Sequence, residues 1–334
     1  MEQGGGLRLA VRWDPAARLI VGVAIDNRRP LAAGILVGRP VSEVTALVPR
    51  LFSLCGCAQG LAARLALAAA EGRRAAPDAA DLLAVAREAV GEHLWRLLLD
   101  WPPLTGGLAC REVFLDWRRR LLAAQDGAAS AALGRALRDG LPSLMSLSSP
   151  NEVAPAAAPP VRLLPWRNAV AWAAEGIDAR FAESPVLDGR PAETGALARC
   201  AGVPAVEACL ADGRRIAARF SARLADLAML AEALIEPGRL AGWLDAAPAG
   251  DGVGLARVET ARGLLLHLTQ VKDGRVGGYV IVAPTEWNFH SQGAFASELA
   301  ACPAATRDEA AMLARRLALA LDPCVAYEVV VEDA

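Results

Sequence analysis

Two apolar runs flank Lys272-Asp273-Gly274-Arg275, an arrangement that admits little besides a β-hairpin over residues 255–283. Leu264-Leu265-Leu266-His267 leads into the turn, and Gly278-Tyr279-Val280-Ile281-Val282 leads out of it. Glu259-Thr260-Ala261-Arg262-Gly263 stands before the hairpin, and Pro284-Thr285-Glu286-Trp287-Asn288 follows it. Thr306-Arg307-Asp308-Glu309 is a capping box for a last helix, which ends at Asp322-Pro323 with Cys324 behind it. An arginine, a threonine after proline and a cysteine after proline thus stand at the ends of elements, where side chains can converge on one site.

The other end of the chain also reads as a hairpin. Leu7, Leu9, Val11 and Trp13 alternate with polar residues, and Leu19, Val21, Val23 and Ile25 repeat the pattern. A third short strand is expected at Leu31–Val37. Ser42 reads as the N-cap of a helix, and a second helix runs from about 58 to 70, just after Cys55-Gly56-Cys57. Asp78 or Asp81 caps a long helix that stops near Trp101-Pro102-Pro103, and helical patterns follow at 108–124 and 128–139. Residues 141–165 are rich in proline and read as a flexible loop or linker. Helices are expected at Trp166–Ala174 and, as one long element, at 204–234. The sum is an α+β, helix-dominated fold, with residues 1–334 as a single domain.

Composition narrows the function. At 334 residues and 54% hydrophobic content the chain can bury a large core. No apolar run reaches the ~18 residues that a membrane span needs. The stretch Met1-Glu2-Gln3-Gly4-Gly5-Gly6 lacks the basic start of a signal peptide, so a cytoplasmic location is expected. A net charge of −2 gives no footprint for nucleic acid. Seven cysteines, an odd number, do not make a disulfide framework. Cys110, Cys200, Cys209 and Cys302 read as small buried residues, whereas Cys55, Cys57 and Cys324 are candidate thiolate ligands for a soft metal.

Five stretches, in order along the sequence, together resemble the large subunit of nickel–iron hydrogenases. In R-x-C-G-x-C-x-x-x-H, Arg50 and Cys55 match, while Phe52 and Gln59 stand at the first cysteine and the histidine. In the central motif, G-x-P-x-E-x-G-P-L-A-R, Gly189, Pro191, Glu193, Gly195, Leu197, Ala198 and Arg199 match. Glu259, Arg262, Gly263, Leu265 and His267 fit E-A-P-R-G-x-L-x-H, and Pro284, Thr285, Trp287 and Asn288 fit V-P-T-T-W-N. The closing D-P-C-x-x-C-x-x-H keeps Asp322, Pro323 and Cys324, with Tyr327 and Val330 at its last two ligand positions. The resemblance implies a shortened large-subunit-like fold. It also implies that Cys55 and Cys324 are the remaining two of four thiolates. With Phe and Tyr in place of the others, no nickel is expected.

The outer shell implied by the resemblance is fuller. The residues matching Arg262 and Thr285 donate to cyanide ligands on iron, and those matching Asp322 and Glu259 lie in the same outer shell. The protein resembles the hydrogenase expression/formation proteins of the HupK/HoxV type. That family implies a maturation scaffold without turnover of its own. It transiently holds an Fe(CN)2(CO) fragment and passes it to the apo large subunit, with a carrier chaperone of the HypC/HupF kind. A second reading is a docking or decoy protein that binds the chaperone without metal. A third is a metal-free structural subunit like that of complex I. Beside these, His267 reads as a satisfied structural histidine, and Trp287 and Asn288 as packing and loop-bonding residues. Glu193 and Arg199 read either as a buried pair or as a solvated one.

Overall fold

The computed structural model describes residues 6–27, 32–52, 54–73, 76–147 and 160–334. Strand β1 (Leu7–Asp14) pairs antiparallel with β2 (Leu19–Asn27) and buries Leu7, Leu9 and Val11, as the alternation requires. The strand expected at Leu31–Val37 does not form; Ala32–Leu36 is a 3-10 turn, and Leu31 lies outside the described residues. Ala32-Ala33-Gly34 lacks the branched side chains that hold a strand flat.

Helix α1 (Val41–Leu51) is capped at Pro40 rather than Ser42, and α2 (Gly56–Ala70) begins between Cys55 and Cys57. Helix α3 (Ala79–Trp95) has Asp78 as its N-cap, with Asp81 closing a reciprocal capping box. It continues through one π turn, Arg96–Asp100, into α4 (Trp101–Leu104). Helices α5 (Arg111–Ala123) and α6 (Gly127–Leu147) follow. The expected linker is therefore shorter at its start. Residues 141–147 belong to α6, with Pro142 inside the helix and Leu144 buried, while 148–159 lie outside the described residues. Leu144 joins Leu133 and Leu137 of α6 in the main core, and that burial favours helix over loop.

Two short strands, β3 (Arg162–Leu163) and, past α7 (Ala169–Ala173) and α8 (Ala179–Glu183), β4 (Ala192–Glu193), pair in parallel. Helix α9 (Ala196–Cys200) comes next. The single helix expected at 204–234 is two, α10 (Pro204–Ala211) and α11 (Arg215–Ile235), broken where Gly213 takes a left-handed φ of 71°.

The central hairpin belongs to a larger meander. Strands β5 (Leu244–Gly250), β6 (Val253–Thr260), β7 (Gly263–Lys272) and β8 (Arg275–Val282) form one antiparallel sheet in sequence order. Asp273 and Gly274 make its last turn with positive φ values of 52° and 70°. Helix α2 lies on this sheet through buried Ala58, Ala62, Ala63, Ala66, Ala69 and Ala70. The approach is close enough that a Cβ on Gly254 would sit 2.1 Å from the Ala66 carbonyl oxygen.

After α12 (Pro284–Asn288), α13 (Ala294–Leu299) and α14 (Arg307–Leu321), the fold adds a strand that periodicity did not suggest. Strand β9 (Tyr327–Asp333) runs parallel to β1, from Leu7 opposite Tyr327 to Trp13 opposite Asp333. The first and last strands described thus share one sheet, ordered β2-β1-β9. Among the described residues no helix is long and apolar enough to cross a membrane.

Candidate functional site

Arg262 stands in the turn between β6 and β7, where the backbone passes very close to the start of α9. Gly195 and Gly263 have φ values of 111° and 129°, and a Cβ on Gly263 would lie 2.7 Å from the Gly195 nitrogen. Only glycine fits both positions, which explains their place in two separate motifs. Asn288 fastens the same crossing: its Oδ1 accepts from the Thr194 N–H at 2.9 Å, and its Nδ2 reaches the Leu321 carbonyl at 3.3 Å.

At the end of α14, Asp322 takes the left-handed conformation (φ 56°) as the C-cap. Its buried carboxylate collects three guanidinium groups. Arg96 Nε and Arg262 Nε donate to Oδ1 at 2.6 and 3.1 Å, and Arg223 Nη2 to Oδ2 at 3.2 Å. Burial alone would raise the Asp322 carboxyl; Arg262, Arg96 and Arg223 overcome it and hold it well below the usual carboxylate range. Arg262 also donates through Nη2 to Glu92. One edge of its guanidinium is therefore locked by two carboxylates, and Nη1 has no hydrogen-bond partner among the described residues.

Cys324 follows directly. Its sulfur lies 3.1 Å from Thr285 Oγ1, and its backbone N–H donates to the same oxygen at 3.2 Å. Thr285 thus accepts from the Cys324 amide and has its own proton available for the sulfur. Cys55 is the N-cap of α2 and half-buried. Burial, then Cys324 and Glu88, push its thiol up to about 12, opposed by Arg262 and Gln59. Cys324 likewise acts on Arg262, so one guanidinium stands within electrostatic reach of both sulfurs. Cys55, Cys324, Arg262, Thr285 and Asp322 are accordingly brought together.

Cys57 and Glu259 have other partners. Cys57 packs on the main core, and the charged groups that act on it are Glu88, Arg87 and Asp81, of which Glu88 also acts on Cys55 and feels Arg262. Burial and Glu88 push this thiol to about 12 as well. Glu259 accepts from Arg199 Nη1 at 2.9 Å and from Arg257, neither of which bonds Asp322. Glu193 and Arg199 do not pair with each other. Glu193 takes Arg219 at 2.7 and 2.6 Å, while Arg199 binds Asp226, which also holds His93 at 2.8 Å.

The family's other ligand positions are filled by packing residues. Phe52 joins the small core around Leu36, Val44 and Val48, and Tyr327 and Val330 lie in β9. Among the described residues no group of three or more His, Cys, Asp or Glu side chains is arranged to hold a metal ion.

Helix α3 supplies the residues that motif reading missed. Glu88 accepts from the Cys57 and Ala58 amides at 2.7 and 3.0 Å, capping the start of α2 beside Cys55. Burial raises Glu88 to about 7. Glu92 grips Arg262, and Arg96, in the π turn, grips Asp322. The three are four residues apart, one per turn, on a helix otherwise rich in apolar residues. That spacing was the available signal.

Comparison with known proteins follows this geometry. Residues 241–329 match the family described as nickel-dependent hydrogenase. The fold is similar to the Ni-Fe-Se hydrogenase from D. vulgaris Hildenborough, with a TM-score of 0.63 at 16% identity, covering 96% of this chain and 99% of that one. An NAD+-reducing [NiFe]-hydrogenase gives a TM-score of 0.59 at 16% identity, with 92% and 93% covered. Fold and site together define a large-subunit-like protein. Over nearly its whole length the sequence is 34% identical to the hydrogenase expression/formation protein HupK of Rhizobium leguminosarum bv. viciae, covering 95% of this chain and 94% of that protein. It is also 34% identical to HoxV of Cupriavidus necator, with 93% and 92% covered. The chain belongs to this HupK/HoxV family of hydrogenase expression/formation proteins.

Proposed function

We propose that this protein is a hydrogenase maturation scaffold that receives an Fe(CN)2(CO) unit between Cys55 and Cys324 and passes it on. The observation that carries the reading is the Arg262 guanidinium, in reach of both sulfurs and with Nη1 unbonded among the described residues. An iron that brings three diatomic ligands asks the protein for few further ones, whereas a bare ion asks for four or more. Two thiols, a cationic donor for a cyanide nitrogen and a threonine hydroxyl suit the first case. Cys324 meets the cargo beside Thr285, and Cys55, whose thiol burial pushes up, must give up its proton to join it. The partners in this reading are a carrier chaperone of the HypC/HupF kind and the apo large subunit.

The raised Cys55 and Cys57 thiols favour one other reading: a docking protein that presents a large-subunit-like surface to the chaperone and holds no iron. Infrared spectra and metal analysis of protein purified without oxygen from hydrogenase-producing cells decide between them. Cyanide and carbon monoxide bands with iron but no nickel, lost in Cys324→Ser, support the scaffold. Absent bands, together with normal hydrogenase formation when Cys55 and Cys324 are both replaced, would sink it in favour of docking. Nickel bound alongside iron would point instead to catalysis.

A further inference from the structure

His267 is completely buried on β7, and both of its ring nitrogens are engaged. Nδ1 lies 2.7 Å from the Tyr279 hydroxyl, and Nε2 lies 2.9 Å from Gln59 Oε1. Tyr279 is on β8, where Ile281 is the direct partner of His267, so Tyr279 is the diagonal neighbour on the same face. The two rings meet edge to face at 5.5 Å. Gln59 is buried on α2, one helical turn beyond Cys55, and its backbone N–H donates to the Cys55 carbonyl at 3.0 Å. Its side chain spans the space between sheet and helix: Oε1 faces the histidine, and Nε2 lies 3.8 Å from the Cys55 sulfur.

The chemistry of these groups gives the array a direction. Burial lowers His267 to about 3, so the ring is neutral at working pH and carries one proton. A carbonyl oxygen only accepts, so facing Oε1 the proton sits on Nε2. Nδ1 then accepts from Tyr279, whose hydroxyl burial keeps protonated. We infer that Tyr279, His267 and Gln59 form a one-way hydrogen-bond relay that ends on Cys55, with Gln59 as the positioning residue that presents an N–H to the sulfur. The inference takes its interest from the proposed role of Cys55 as a ligand, but its geometry stands without it. An N–H aimed at sulfur occupies one of its lone pairs and so fixes the side from which Cys55 is approached. The opposite polarity would turn Oε1 toward Cys55 and make the sulfur the donor.

The tautomer of His267 reads the direction in the unaltered protein. Nitrogen-15 NMR of histidine-labelled protein at pH 7 is expected to show a proton on Nε2 and none on Nδ1. A proton on Nδ1 overturns the relay. The second measurement takes the same spectrum of Gln59→Leu, in which Nε2 loses its acceptor, and the Nε2 resonance is expected to shift while the protein stays folded. A histidine spectrum unchanged from the parent also overturns it. Neither measurement involves iron, so both decide the relay even if the protein never carries the iron unit.

Discussion

A carboxylate gripped by Arg96, Arg223 and Arg262 has no neutral substitute. Asp322→Asn leaves three guanidiniums, two of them buried, short of their shared partner. Removing one member of such a buried network costs on the order of 3 kcal/mol, and urea unfolding is expected to show a loss of that size. Cys324→Ser removes only a sulfur at the exit of α14, and its unfolding midpoint should stay within error of the parent. Together the two variants separate folding from loading. At this scale the sequence was most legible where a residue type is rare for its setting: Arg262 at a turn, Thr285 and Cys324 after prolines. Glu92 and Arg96 were illegible because charged residues at helical spacing usually face water; here they face Arg262 and Asp322. Cys57 shows what nearness in sequence leaves out: it stands two residues from Cys55, yet it packs on the main core, and Arg262 is not among the groups that act on it.

Among the elements, the seat of α2 on the four-stranded sheet sets how far Cys55 stands from Arg262. Gly254 makes that seat possible. Gly254→Ala drives a methyl group against the Ala66 carbonyl and the Ala70 amide, at 2.1 and 2.3 Å before relaxation. Overpacking of this kind costs about 1–3 kcal/mol, and a lower melting temperature by calorimetry would register it. Hairpins declared themselves through alternation and the Asp-Gly turn. Strand β9 did not, because Glu328 and Glu332 break the apolar reading of a strand whose order comes from pairing with β1. The fold of 141–147 was hidden in the same way: Pro142 signals a break, but contact with the core outweighs it.

For the molecule as a whole, two buried groups pull stability in opposite directions as pH changes. His267 is neutral in the folded protein down to about 3, whereas an unfolded histidine takes up a proton near 6.5. The unfolded state therefore binds more protons between those values, and stability is lost as pH falls through them. Glu88 holds its proton up to about 7 when folded, against 4.5 when free. The folded state binds more protons in that window, and stability is lost as pH rises through it. Unfolding free energies measured from pH 4 to 8 should show the rising-pH loss shrink in Glu88→Gln and the acid loss shrink in His267→Gln. Unchanged slopes in both variants would contradict these assignments. The large-subunit-like fold was legible as a whole because its motifs keep their order, even though the segments between them are ordinary helices.

The pairing of β1 with β9 also sets a clock. Residues 7–13 cannot complete their sheet until residues 327–333 leave the ribosome, which at roughly 5–20 residues per second takes tens of seconds. Cys55 waits through that interval without Cys324, Thr285 or Asp322 beside it. A nascent polypeptide that has not yet exposed Cys324 therefore has no finished pocket, and the iron unit of the proposed scaffold would meet both thiols only once residues 322–333 are in place.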